Sequence, residues 1–246
     1  MGIFFEPYKE QSCCLCGSGE FLTGEHKIKA SALRRIFGRN EMVIGHFDSQ
    51  SIPRTAQGPK SNAFHFSARM CALCNNTRTQ VADHEFDLFH SSVSSYLSKD
   101  TEPSLVFDLP RYKIGTEAYL NVFRYFAKIL CCQVAESCGP RPLEVCEFAI
   151  GKTTRNVIIL QAIDTDPMYQ SYSNILGDSQ FAAHGGLRVG FDFKKQIPTS
   201  FQSSISLGAV RYVFEVKFGD AVGIELRTFF YEFWCKCEAA NRSLKD

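Results

Sequence analysis

Two Cys-x-x-Cys pairs, Cys13 with Cys16 and Cys71 with Cys74, constrain this chain more than any other feature. A knuckle of that spacing lets two sulfurs aim at one metal while nearby backbone N–H groups stabilise the thiolates. Four such sulfurs saturate zinc and leave no open coordination position. The pattern therefore predicts a structural Zn²⁺ site that ties two distant segments together. Cys14 is a competitor for Cys13, but Cys14-Leu15-Cys16 is a tighter bite, which favours Cys13. The odd total of eleven cysteines, the chain length and the lack of a charged start followed by an apolar stretch all argue for a reducing compartment and against disulfides. Cys131, Cys132, Cys138 and Cys146 lie in apolar helical context and read as small buried hydrophobes. Cys235 and Cys237 have no second pair to complete a metal site.

At 246 residues and 45% apolar content the chain can form one large globular unit or two modest ones. It contains no run of 18 apolar residues, so it is expected to be soluble and cytoplasmic, with no membrane partner. The formal charge of +1 hides a local imbalance. Between positions 27 and 82 stand nine Lys/Arg against two acids, Glu41 and Asp48. Such an excess attracts polyanions and weakens with salt. Lys27, Lys29, Arg34 and Arg35, next to His26, are the expected phosphate contacts. Arg54 and Lys60, in a Ser/Pro/Gln-rich stretch, read equally well as solvated loop charge.

Periodicity predicts a strand at Phe21–Glu25, a helix at Ser31–Phe37 stopped by Gly38, and strands at Met42–Phe47 and Ala63–Phe66. A long helix should follow Cys74, burying Val81, Phe86, Leu88, Phe89, Val93, Tyr96 and Leu97. Lys99–Pro103 reads as a boundary. Beyond it come a strand at Leu105–Leu109, helices at Thr116–Glu136 and Leu143–Ile150, and strands at Asn156–Ile163, Leu187–Phe193, Ile205–Ala209, Arg211–Phe218 and Val222–Phe230. Phe218-Gly219-Asp220 reads as a hairpin turn. The fold class is α+β. Gly151-Lys152-Thr153-Thr154 and Gly185-Gly186 lack the full phosphate-loop string.

The string Cys13-x-x-Cys16, Leu22-Thr23-Gly24-Glu25-His26, Cys71-x-x-Cys74-Asn75-Asn76-x-Arg78 resembles the zinc-containing branch of the HNH endonucleases, over about residues 13 to 90. The resemblance implies a zinc-bound ββα-metal domain at residues 1–98, followed by a helix-plus-antiparallel-sheet domain at 99–246 for positioning, oligomerisation or sensing. It implies His26 as general base, Glu25 and Asn75 as ligands of a catalytic Mg²⁺ or Mn²⁺, and Arg78 near the substrate phosphate. The family often carries an Asn that orients the histidine, and Asn62 is the nearest candidate. Stand-alone nucleases of this kind are similar to proteins of bacterial defence and mobile elements.

The chemistry asks for the same residue types. Phosphodiester cleavage needs a base that works near neutral pH, which imidazole supplies, and hard oxygen ligands suit Mg²⁺ or Mn²⁺ better than zinc. The expected activity is hydrolysis of DNA, with RNA as the other polyanion and a homodimer as the arrangement that cuts both strands. The C-terminal half is left open to a protein or small-molecule partner. The rival is a catalytically inactive zinc-stabilised module that binds nucleic acid or protein. His46 and His65 fall in candidate strands and read first as satisfied structural histidines, second as a brace for His26. His84, His90, Asp83 and Asp87 are expected on a solvated helix face, and His184 in a loop.

Overall fold

The computed structural model describes residues 4–39, 42–44, 54–176 and 180–242. In chain order the elements are β1 (Phe5–Glu6), β2 (Leu22–His26), α1 (Ala30–Phe37), β3 (Met42–Ile44), β4 (Arg54–Ala56), β5 (His65–Cys71) and α2 (Gln80–Leu97). There follow α3 (Glu117–Glu136), β6 (Arg141–Pro142), α4 (Leu143–Ala149), β7 (Ile159–Thr165), α5 (Pro167–Leu176), β8 (Ala182–His184), β9 (Arg188–Asp192), β10 (Ile197–Leu207), β11 (Val210–Lys217), α6 (Asp220–Phe229) and α7 (Tyr231–Arg242). Helices and an antiparallel sheet make this an α+β fold. No helix among the described residues is long and apolar enough to cross a membrane.

The largest sheet runs β7-β11-β10-β8, with β9 also paired to β10. The β10–β11 hairpin closes through Gly208, whose φ of 57° suits a residue without Cβ. β2 and β5 form a separate antiparallel pair in which Leu22 faces Cys71 and His26 faces His65. That pairing carries the chain from one cysteine knuckle to the other. A π-helical turn at Cys74–Arg78 then leads into α2.

Helix α3 is the hub. Thr116 caps it by accepting from the Tyr119 N–H at 3.2 Å, and every residue from Leu120 to Ala135 is buried. A helix apolar on nearly all sides must be covered on nearly all sides, and here α2 lies on one flank and the sheet on another. Phe86 of α2 stacks on Tyr125 with ring centroids 3.9 Å apart, and Phe126 stacks on Phe214 of β11 at 4.8 Å. His90 of α2 meets the Tyr212 hydroxyl at 2.9 Å through Nδ1. Near the first knuckle, the Cys14 and Cys132 sulfurs lie 3.6 Å apart. One contiguous apolar cluster thus extends from Phe5 to Phe233, across the boundary drawn from the sequence at residues 98 and 99.

Three expectations need correction. Leu105–Leu109 is not a strand: Pro103–Asp108 forms a 3₁₀ helix, started by the Glu102 carboxylate accepting from the Ser104 N–H and by Pro103 in its first turn. Val222–Phe230 is helix α6, since Val222, Gly223 and Leu226 are the buried positions at helical spacing, while Ile224 and Phe229 face outward. Phe218-Gly219-Asp220 accordingly opens a helix instead of turning a hairpin. On α2, Phe86, Phe89 and Val93 are buried, but Val81 and Leu88 are exposed, and Ala82, Glu85 and His90 point inward. His46 lies outside the described residues.

The seat of α6 yields a test. A Cβ added at Gly223 would sit 2.3 Å from the Pro198 carbonyl oxygen and 3.3 Å from Ile197 Cβ. Alanine gains about 1 kcal/mol of helix propensity, but overpacking against backbone costs roughly 1–3 kcal/mol. Gly223→Ala is expected to destabilise the protein by about 1 kcal/mol in urea unfolding, and an unchanged or higher midpoint would contradict this packing.

Candidate metal centre and adjoining histidine site

The first knuckle is shaped by its own backbone. Gly17, at φ 76°, donates its N–H to the Cys13 carbonyl at 2.8 Å, and the Cys13 N–H reaches Ser18 O at 2.7 Å. The Cys14 N–H bonds to Arg69 O at 2.9 Å, which lays the knuckle along β5. In the second knuckle the Cys74 N–H points at Cys71 Sγ, 3.4 Å away. Together they bring the ligand atoms of Cys13, Cys16, Cys71 and Cys74 within 4.8 Å of one another, with Cys16 and Cys71 sulfurs 3.6 Å apart. Zn–S bonds of about 2.3 Å set tetrahedral S–S edges of about 3.8 Å, so the four thiols suit a zinc-like ion with only modest contraction. Cys14 turns into the core toward Cys132. The Cys74 thiol lowers the Cys13 pKa to about 4 against the effect of burial, and Cys74 is pushed up in return. The two share a proton that a bound cation would displace.

At the other end of the β2–β5 pair from this cluster stand two imidazoles. Across the β2–β5 pair, His65 Nε2 lies 3.2 Å from Nδ1 and 3.1 Å from Nε2 of His26, with the rings edge to face. On its other side His65 Nδ1 lies 3.2 Å from Asn62 Oδ1. The 3₁₀ turn Asn62–Phe64 sets that geometry by leading directly into β5. An amide oxygen only accepts, so it selects the His65 tautomer protonated at Nδ1. His65 Nε2 then accepts from a His26 N–H; both His26 nitrogens lie within 3.2 Å of it, and the Pro59 backbone also bonds the His26 ring. Burial, and next the neighbouring charge of His65, lower the His26 pKa to about 4.

Glu25 goes elsewhere. At the irregularity in the β2–β5 register between Gly24 and His26, the Glu25 carboxylate accepts from Lys128 Nζ of α3 at 2.8 Å. The same ammonium bonds Asp83 of α2. Asp83 and Asp87 had been read as a solvated face; instead Lys29 bonds the Asp83 carbonyl and the Asp87 carboxylate, and Arg35 reaches Asp87 at 3.6 Å. Burial raises the Asp83 pKa, opposed by Lys128. Asn75 donates to Thr23 Oγ1 at 3.0 Å and to the Gly24 carbonyl at 3.1 Å, fastening the π-helical turn to β2. Among the described residues no hydrogen bond joins Glu25 to Asn75. The catalytic Mg²⁺ or Mn²⁺ expected between them does not fit, because an ammonium already holds the Glu25 carboxylate.

The expected phosphate contacts divide. Lys27 pairs with Glu136 at 3.0 Å, Lys29 and Arg35 are engaged by Asp87, and Arg78 donates to Cys74 Sγ at 3.6 Å. Arg34 is exposed and lines a pocket of 540 Å³ with Arg39, Lys60 and the Gln57–Ser61 backbone. Among the described residues none of these three cations forms an ion pair. Arg34 and the Pro59 backbone also act on His26, so the pocket adjoins the imidazole. Lys60 therefore belongs to a built basic pocket, and Arg39 joins it.

Lys128 and Asp83 escaped the sequence reading. The available signal was a lone lysine inside the apolar run Phe126-Ala127-Lys128-Ile129-Leu130, since a charge is seldom buried without a partner. No protein-family model, curated protein or solved structure matches this chain. The functional reading rests on the site alone.

Proposed function

We propose that this chain is a nucleic-acid phosphodiester hydrolase of HNH-like design, with His26 as general base. The observation that carries the reading is an imidazole, His26, braced by His65 and Asn62 beside a pocket lined by Arg34, Arg39 and Lys60. Held neutral at physiological pH, His26 takes the proton from a water as its oxygen bonds phosphorus; the bond from phosphorus to the leaving sugar oxygen breaks, that oxygen takes a proton from solvent, and the pocket cations neutralise the phosphate oxygens. The four cysteines hold Zn²⁺ as a cross-link outside the reaction. Most affinity comes from the backbone phosphates and is independent of sequence. Incubation of supercoiled plasmid and of single-stranded RNA with the purified chain, in EDTA and in a Mg²⁺ and Mn²⁺ series, tests this reading. Unchanged topology and length under every condition would reject it.

A second reading, a zinc-stabilised binding module, draws on two specific observations: Lys128 holds the Glu25 carboxylate, and the Asn75 amide is tied to β2. It predicts a mobility shift with no cutting. Both readings share the basic pocket. Changing Arg34 and Lys60 together to alanine removes two phosphate contacts, so the slope of log Kd against log salt for duplex DNA should fall by about 2. An unchanged slope would place the nucleic acid elsewhere.

A further inference from the structure

We propose that the resident cation between Glu25 and Asp83 is the Lys128 ammonium, and that this centre takes no divalent ion while Lys128 is present. Two carboxylates from different elements, β2 and α2, converge on one point from which α3 supplies the positive charge. Lys128 is 1% exposed, and the Tyr125 ring closes one side with its centroid 5.3 Å from Nζ. An ammonium carries three N–H donors. The two carboxylates accept from it, and the Tyr125 face, at cation–π range, covers the remaining side. Mg²⁺ demands near-octahedral oxygen ligation at about 2.0–2.1 Å and retains waters, which two carboxylates already bonded to an ammonium do not offer.

Charge count points the same way. Lys128, Lys29 and Arg35 stand against Glu25, Asp83 and Asp87, three positive groups to three negative. A divalent ion added to this set leaves it positive by two, and one that replaces Lys128 must drive an ammonium through packed core. The tethered cation also joins α3 to β2 one residue from His26, and so fixes the strand that presents the imidazole. A reaction at His26 would then proceed in EDTA. That last consequence rests on the hydrolase reading; the identity of the cation does not.

Mn²⁺ binding, followed by electron paramagnetic resonance on the zinc-loaded full chain, tests the assignment. Wild type and Glu25→Gln are expected to bind no Mn²⁺ at this centre up to 1 mM, on the order expected for weak carboxylate sites. Lys128→Met, which leaves both carboxylates without their cation, should gain one Mn²⁺ and be stabilised by it, and Lys128→Met with Glu25→Gln should lose that gain. Stoichiometric Mn²⁺ on wild type that disappears in Glu25→Gln would overturn the proposal, as would a folded Lys128→Met that binds none. If Lys128→Met does not fold, the comparison of wild type with Glu25→Gln decides alone. Absence of cutting by wild type under all conditions would count against the hydrolase reading and leave the Mn²⁺ result intact.

Discussion

Cys71→Ser, or extraction of the metal by a strong chelator, is expected to unfold the protein far beyond its first third. Structural zinc contributes roughly 10–16 kcal/mol in finger peptides, as much as the roughly 5–15 kcal/mol by which a whole domain is stable. The knuckles do not stand on a detachable module. Cys14, between two ligands, packs against Cys132 of α3 and gives its carbonyl to the Cys146 thiol of α4 at 3.4 Å. Cys71 ends β5, the strand that holds His65 and aligns β2. Loss of the metal therefore loosens the floor under α3 and propagates through the common core. Zinc analysis should give one ion per chain, and far-ultraviolet circular dichroism should lose most helical signal with the metal. Metal-free protein that still melts cooperatively at the wild-type temperature would show that the cysteines are merely packed.

His26→Ala is expected to lower phosphodiester cleavage by about 10²–10⁴-fold while zinc content and the circular dichroism spectrum stay as in wild type. The side chain is half-buried on a short strand, with His65 and the Pro59 backbone as its partners, so its removal costs little structure. The pH profile gives an independent check. Burial and His65 hold the His26 pKa down at about 4, so the neutral, proton-accepting form prevails above that value. Activity should stay level as pH falls from 7 toward 5 and drop only as pH passes through about 4, whereas an ordinary imidazole would fade near 6.5. In His65→Ala the acid limb should move upward, because one depressing charge is gone. Rates that decline through 6.5 in wild type, with zinc still bound, would show that another group acts as the base.

The four-cysteine cluster was legible because cysteine spacing is a local code. The thiols of Cys13, Cys16, Cys71 and Cys74 need only two tight turns and one strand pair to meet. His26 and Asn62 were legible as residue types, but the His65 bridge between them depends on the cross-strand register of β2 and β5, which no short window encodes. Glu25 illustrates the opposite case. Its neighbour in sequence suggested a shared site, yet the β2–β5 register is irregular at this position, and the partner it finds is 103 residues away on α3. Asp83 and Asp87 looked like solvent groups because acidic helix residues usually are. Their partial burial follows from Lys128 on α3 and from Lys29 and Arg35 on the α1 segment, two different stretches of chain. The strand expected at Val222–Phe230 failed for a simpler reason: a short apolar run fits either period, and the burial of Gly223 against β10 settles it only in three dimensions.

The sixteen consecutive buried residues of α3 also bear on how the protein is made. When this helix leaves the ribosome, the strands that cover its far side, β10 and β11, have not been translated, and they end only at Lys217. The knuckles can capture their ion early, but the apolar flank of α3 stays bare for another 80 residues of synthesis. A nascent chain paused in that interval carries both cysteine knuckles and an uncovered greasy cylinder, the form in which it is most open to holdase binding or to clumping.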